Sequence, residues 1–380
     1  MAISSNLRTV LAWTHRWVGL IGGLLFCLLG VTGAIVTFRP QIGAALSPRA
    51  IPLAQCRGPV DWNAAQREIE ATTGTAINRI YFPAGIDPRY HVRMQTGVDA
   101  IYTHVIYDAC AGRVLGTANL QWLDWIVDLH HNFLAARTGR MFVGGVGVAL
   151  LLSGIGGLAL ILLSATSIKR LFKVQTGDTR KTFYDLHRAV GAGTAVLVLL
   201  QAFTGVWLCY PQIFRFAVGA PAETQIDVRS RATHSGSLAP LGDLIAATDR
   251  AIGDGRIREI RMPEGYGLVQ VRMWREGDFR SLGNNVVSVD RASAQVLAVD
   301  LYDGKPASNR FLQALAGLHY GEWGGMPYRA IYGISGMATL PLFLTGCSYW
   351  WLRRRRHVPA TARSAHGSRE AIGSSVPTQA

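Results

Sequence analysis

The chain is 380 residues long and carries a net charge of +14 with only 16% charged side chains, and its mean hydropathy is positive, +0.20. A chain that is apolar overall yet basic reads as an integral membrane protein with Lys and Arg gathered in its flanks. This excludes nucleic-acid binding as the source of the charge.

Taken in order, residues 1–17 form a basic N-terminus and residues 18–38 a first apolar span. At ~1.5 Å rise per residue such a span covers most of a bilayer core of ~30 Å. Its apolar run is longer than a secretory h-region of ~7–15 residues, so it is expected to be retained. Residues 39–140 are a long connection in which Asp61–Thr72 has helical periodicity with an Asp at its start. Ala76–Phe82, Tyr90–Gln95 and Ala100–Tyr107 follow as strands, the last leading into an Asp-and-Gly turn at 108–112. Residues 141–164 are the second span, 165–188 a short basic loop and 189–210 the third span.

The second long connection, 211–329, repeats the first: a helix at Leu241–Ala251, strands near Arg256–Met262 and Leu268–Met273, then Val286–Val289 leading into a turn at Asp290 that lacks the Gly. Residues 330–351 are the fourth span, and 352–380 a basic tail rich in Ala, Ser and Thr, expected to be disordered. The fold class is thus an α-helical membrane protein with four transmembrane helices and two exported α+β modules.

Orientation follows from the basic residues. Residues 1–17, Ala165–Leu186 and the tail after Trp351 hold thirteen Lys or Arg against three Asp or Glu, whereas the long connections are nearly balanced, nine against eight over Gln41–Arg140 and thirteen against thirteen over Pro211–Tyr328. Both termini are therefore expected in the cytoplasm, with the long connections in the periplasm.

Spans one and three share a pattern. His15-Arg16-Trp17-Val18-Gly19 runs to Thr32-Gly33, and His187-Arg188-Ala189-Val190-Gly191 to Thr204-Gly205, each with a seventeen-residue step from His to Thr. Pro40-Gln41-Ile42 and Pro211-Gln212-Ile213 follow, so the chain is an internal duplication. Small residues fall on one helical stripe in each copy: Gly19, Gly22 and Gly33, then Gly191, Thr194 and Gly205. Spans two and four are each preceded by a Leu-His pair, Leu129-His130 and Leu318-His319, with His131 as the adjacent alternative.

In a duplicated membrane unit, equivalent residues approach a common axis. Two imidazoles on opposite sides of a flat macrocycle are what six-coordinate haem iron needs, and the absence of C-x-x-C-H makes any haem the non-covalent b type. A closed zinc site would need more ligands than one pair supplies. His91, His104, His234, His357 and His366 fit no pair and are read as surface residues. Cys56 and Cys110 share an exported module, an oxidising setting in which a disulfide between them is the plain reading. Cys27, Cys209 and Cys347 read as small apolar residues of the spans.

These motifs resemble the PepSY-associated transmembrane proteins over roughly residues 8–355, and most of all the FoxB-type ferric-siderophore reductases. The resemblance implies an inner-membrane di-haem protein that passes electrons to a ferric siderophore in the periplasm. It implies His15 and His187 as axial ligands of one haem b, and His130 and His319 of a second. The electron donor would be a quinol or a partner reductase, since no flavin or nicotinamide fingerprint occurs. Trp122, Trp125, Tyr320, Trp323 and Tyr328 read as an interfacial aromatic belt or, less directly, as siderophore contacts. The competing readings are a non-redox PepSY protein that binds ligands or regulates a peptidase, and a siderophore permease. The permease ranks last, because no broken-helix pair carries substrate-facing charge.

Overall fold

The computed structural model describes residues 5–47, 59–83, 89–95, 102–164, 167–221, 238–262 and 267–355. In chain order the first elements are α1 (Ser5–Thr37), α2 (Arg39–Leu46), α3 (Trp62–Thr73) and strands β1 (Ile77–Tyr81), β2 (Tyr90–Gln95), β3 (Tyr102–Asp108) and β4 (Arg113–Ala118). There follow α4 (Gln121–Asn132), α5 (Ala136–Ser164), α6 (Ile168–Leu171), α7 (Thr179–Cys209), α8 (Pro211–Ala217) and α9 (Leu241–Ala251). The last are β5 (Arg256–Arg261), β6 (Leu268–Trp274), β7 (Asn285–Asp290), β8 (Val296–Asp300), α10 (Ala307–His319), α11 (Gly325–Met337) and α12 (Thr339–Arg355).

Four helical stretches are long and apolar enough to cross a membrane: Asn6–Thr37, Ala136–Ser164, Thr179–Cys209 and Gly325–Arg355. Their outward side chains are apolar, with Ile21, Leu24, Leu162, Val196 and Ile334 among the most exposed, as a lipid-facing surface requires. The fourth is interrupted at Ala338. Pro341 explains the break, because its ring collides with the carbonyl four residues back, at Met337, and it lacks the amide to bond there.

The chain packs as two units. The first comprises Met1–Cys27, Ala149–Val196 and Ala338–Ala380. In it Cys27 Sγ donates to Thr339 O at 3.2 Å, and Gly191 lets Leu342 approach to 3.6 Å of where a Cβ would stand. Arg188, the Arg of the repeated motif, pairs with buried Asp185 at 2.9 Å and donates to Leu171 O and Lys173 O, which fixes the short basic loop onto α7.

The second unit comprises Leu28–Val148 and Leu197–Met337. Its centre is one antiparallel eight-stranded sheet in the order β4-β3-β2-β1-β5-β6-β7-β8. The two α+β modules are therefore joined edge to edge through β1 and β5, with Ile80 opposite Ile260. One face is apolar by strict alternation: Ile80, Val92, Met94, Val105, Ile260, Val269, Val271, Met273, Val287 and Val289 pack there with Ile69 of α3 and Leu241 and Leu244 of α9. Asp61 caps α3, accepting from the amides of Asn63 and Ala64.

The two module turns correspond residue for residue. Asp108 Oδ1 accepts from the amides of Cys110 and Ala111, and Asp290 Oδ1 from those of Ala292 and Ser293. Four residues after each Asp the backbone is left-handed, at Gly112 (φ 63) and at Ala294 (φ 57). The missing Gly of the second module is thus replaced by an alanine held in the same conformation.

Candidate functional site: two histidine pairs

The repeated His, Thr and Gly positions converge on two places, one in each unit. In the first unit the rings of His15 (α1) and His187 (α7) meet edge-on, with centroids 6.0 Å apart. In the second, His130 ends α4, His319 ends α10, and their ring centroids are 6.2 Å apart.

Three of the four rings are tied to a helix carbonyl, and all four to a hydroxyl. His15 Nδ1 lies 2.8 Å from Ser153 O, His187 Nδ1 2.9 Å from Leu342 O and His130 Nδ1 3.1 Å from Leu29 O. At His319 the hydrogen-bond partner is the hydroxyl of Thr204, and the backbone of Gln201 adds an electrostatic contribution. A hydroxyl stands beside each Nδ1 as well: Ser153 at 3.3 Å, Thr345 at 3.3 Å, Thr32 at 3.2 Å and Thr204 at 3.0 Å. The threonine hydroxyls spend their own protons on their helices, Thr32 on Leu28 O, Thr204 on Leu200 O and Thr345 on Pro341 O. Carbonyl and hydroxyl alike can therefore only accept, which places the ring proton on Nδ1. None of the four Nε2 atoms makes a hydrogen bond among the described residues. Each Nε2 lone pair is unengaged, an arrangement that could ligate a metal, as in a histidine whose other nitrogen is tied to a backbone or hydroxyl acceptor.

Under each ring sits a helix glycine. A Cβ at Gly157 would lie 2.7 Å from Cε1 of His15, and one at Gly33 2.7 Å from Cε1 of His130. The corresponding approaches are 3.1 Å for Gly205 to His319 and 3.3 Å for Gly346 to His187. Three seats share one spacing of carbonyl, hydroxyl and glycine at i, i+3 and i+4: Leu29-Thr32-Gly33, Gln201-Thr204-Gly205 and Leu342-Thr345-Gly346. At the fourth, Ser153 supplies both carbonyl and hydroxyl, and Gly157 follows four residues on.

An imidazole-bound first-row metal sits about 2 Å from its nitrogen, and the ring adds about 1 Å more, so two axial histidines on one iron have centroids roughly 6 Å apart. Both pairs meet that spacing. Among the described residues no group of three or more His, Cys, Asp or Glu converges, so the histidines meet in twos. Burial, the facing His319 and the adjacent His131 press His130 down to about 3, and burial and His131 press His319 down to about 4. Both rings are neutral, the form in which imidazole ligates.

Residues 12–353 match the PepSY-associated TM region. The chain belongs to the PepSY-associated transmembrane family. No curated protein matches it.

Other expected positions in this PepSY-associated protein separate. His131 is exposed, its ring 5.8 Å from that of His130, and it is His130 that faces His319. Tyr320 stands edge-on to His319 at 6.0 Å with Arg280 over its ring at 5.2 Å, and Trp323 packs on Phe279 at 5.0 Å. Trp122 and Trp125 project from α4, both exposed, and Tyr328 packs on Tyr332 at 4.9 Å. The five aromatics thus do not form one cluster. Cys110 is disulfide-bonded, and Cys56 lies outside the described residues. Cys27, Cys209 and Cys347 are free.

One histidine corrects the sequence reading. His104 is not a surface residue: it is 5% exposed, with Nε2 2.7 Å from Asp124 Oδ2, and Asp124 also takes Arg39 at 2.6 Å. This buried network ties β3 and α2 to α4 six residues before His130. His91 is half-buried in β2, and His234, His357 and His366 lie outside the described residues. Gly157, Gly346, Ser153 and Thr345 were missed by motif comparison, although Thr345-Gly346 repeats the Thr-Gly pair of spans one and three.

Proposed function

We propose that this PepSY-associated protein is an inner-membrane di-haem b oxidoreductase that passes electrons across the membrane to a ferric siderophore in the periplasm. The observation that carries the reading is the fourfold seat: two histidine pairs at six-coordinate spacing, each Nδ1 tied to a helix and each Nε2 unengaged. Haem b, when bound, supplies one-electron transfer at a potential set by its ligands and their surroundings.

The rest falls to the chain. His15 and His187 would hold one haem and His130 and His319 the other. Ser153, Thr345, Thr32 and Thr204, with the neighbouring carbonyls, fix the tautomer and raise the basicity of Nε2. Gly157, Gly346, Gly33 and Gly205 let each ring lie close against a helix. The excess of Lys and Arg in the termini and short loop supports a cytoplasmic position for the His15–His187 pair and a periplasmic one for the long connections. Ferric iron is held by hard oxygen chelators, and one added electron lowers its charge and loosens that hold. No acid-base or nucleophilic catalyst is needed for such a release. The electron donor would be a quinol or a partner reductase, and the likeness to FoxB-type proteins supports the siderophore as acceptor.

The test is the visible spectrum of detergent-purified protein, oxidised and dithionite-reduced, with haem quantified per chain. Two low-spin b-type haems are expected. A colourless protein from haem-replete cells would sink the reading and favour a non-redox ligand-binding protein.

A further inference from the structure

The second face of the eight-stranded sheet is polar. Across six adjacent strands the register sets His104, Arg93, Arg79, Arg261, Gln270 and Ser288 opposite one another in a row. In the neighbouring row Glu259 lies opposite Arg272. Like charges directly opposite in a sheet destabilise it, yet here three arginines follow in succession.

Compensation within the protein is incomplete. Glu259, 0% exposed, meets Arg79 at 3.1 Å, Arg261 at 2.8 Å and Arg272 at 3.5 Å. Burial works against its charge, but those three arginines hold it below the usual carboxylate range. Arg93 meets only neutral groups at close range, Asn78 Oδ1 at 3.1 and 3.2 Å and the Tyr102 ring at 3.6 Å. Four guanidiniums thus face Glu259 and, through Arg93, the more distant Asp128, an excess of two positive charges. The flanking pairs, Arg39 with Asp124 at 2.6 Å and Arg280 with Glu322 at 2.7 Å, balance internally. The crowding is felt: burial, Arg280 and Arg261 push Arg272 down to about 10, and burial and Arg79 lower Arg93. Arg79 Nε and Gln270 Nε2 are buried donors without a hydrogen-bond partner among the described residues. These two donors outnumber the one unmatched acceptor of the cluster, Glu259 Oε1, and with the excess of positive charge they describe a face suited to an anion.

The two ends of the face are tied to the chain segments that carry His130 and His319. At one end His104 bonds Asp124, six residues before His130 on α4. At the other, Arg280 stands over Tyr320, the neighbour of His319.

We infer that this arginine face binds the ferric chelate and selects for negative charge, taking an anionic oxygen chelate of the tris-catecholate kind over a neutral hydroxamate. The identity of the ligand as a ferric chelate rests on the reductase reading; its charge rests on the arginines alone. An anion here shares its charge among Arg79 and Arg93 of the row and Arg272 beside it, which offsets the repulsion among these guanidiniums.

The test uses the purified full-length protein and two gallium(III) complexes that take no electron: the trianionic tris-catecholate and the neutral tris-acetohydroxamate. Binding is followed by calorimetric titration. The trianion is expected to bind about tenfold tighter or better at low ionic strength, with the preference shrinking as salt is raised. Arg93→Gln, which breaks no ion pair among the described residues, should weaken the trianion several-fold and leave the neutral complex unchanged, and Arg93→Lys should restore most of the loss. Equal affinity for the two complexes, or trianion binding indifferent to both salt and R93Q, would overturn the inference. So would an R93Q protein that loses haem while binding the trianion normally, since the row would then serve the haem carboxylates. A protein holding two haems that shows no charge preference fails this inference and leaves the reductase reading standing. A haem-free protein that binds the trianion does the reverse.

Discussion

The two histidine pairs are built to one chemical plan from opposite chain directions. At the first, His15 and His187 project from membrane-spanning helices α1 and α7, and the acceptors and glycines come from α5 and α12. At the second the roles are exchanged: α1 and α7 supply Thr32-Gly33 and Thr204-Gly205, and the histidines arrive on the short helices α4 and α10. Each long helix of the duplicated pair thus gives a ligand to one site and a seat to the other. What is invariant is the seat, a helix hydroxyl on Nδ1 and a glycine under Cε1. The element that carries the histidine is free to change.

The sharpest way to break the comparison is to remove one ligand at a time. His187→Leu is expected to lower haem from two per chain to one and leave the spectrum of the His130–His319 site intact; His319→Leu should do the converse. Haem quantification and redox titration of each variant check this. Loss of both haems in a folded single variant would mean that the two pairs are not separate sites.

The glycines give the next largest effect and expose an asymmetry inside each pair. His15 and His130 are seated tightly, where a Cβ would come to 2.7 Å, and His187 and His319 more loosely, at 3.3 and 3.1 Å. Gly157→Ala and Gly33→Ala must therefore push an imidazole off its line, an overpacking cost of about 1–3 kcal/mol. Gly346→Ala and Gly205→Ala should cost well under that, since a few tenths of an ångström of give suffice. Thermal release of haem, followed by the Soret band, should rank the four variants in that order. Equal effects at all four positions would remove the asymmetry.

Much of this was legible in the chain. The seventeen-residue step puts His and Thr-Gly near opposite ends of one helix, and alternation marks the strands at Tyr90–Gln95 and Leu268–Met273 because one face must be apolar. The partners of Nδ1 were not legible, because they are mainly backbone carbonyls, which every residue has. Gly157 and Gly346 were hidden among the many glycines of the apolar spans, where only the meeting with a ring distinguishes them. The pairing of β1 with β5 joins strands about 180 residues apart in sequence and leaves no local signal. His104 was misread because a lone histidine in a strand gives no hint of the Asp124 and Arg39 that a distant helix turn and a span end bring to it. Its row of arginines likewise appears only once the register is known.

The hydroxyls offer the finest distinction. Thr204 and Thr32 approach Nδ1 of their histidines at 3.0 and 3.2 Å, whereas Ser153 and Thr345 stand at 3.3 Å, beyond carbonyls at 2.8 and 2.9 Å. At His130 the carbonyl of Leu29 is no nearer than 3.1 Å, so carbonyl and hydroxyl share the Nδ1 proton about equally. Replacing Thr32 or Thr204 by Val removes that share and leaves the carbonyl. The net loss is about 0.5–1.5 kcal/mol. If it falls wholly on one oxidation state it corresponds to roughly 20–60 mV for a one-electron couple. Weaker donation from Nδ1 makes the imidazole a poorer electron donor to the metal, so the midpoint potential should rise. Ser153→Ala and Thr345→Val, whose carbonyls hold the proton more closely, should shift the other haem by less. A larger shift at the first pair than at the second would show that the hydroxyl, and not the carbonyl, is the dominant acceptor throughout.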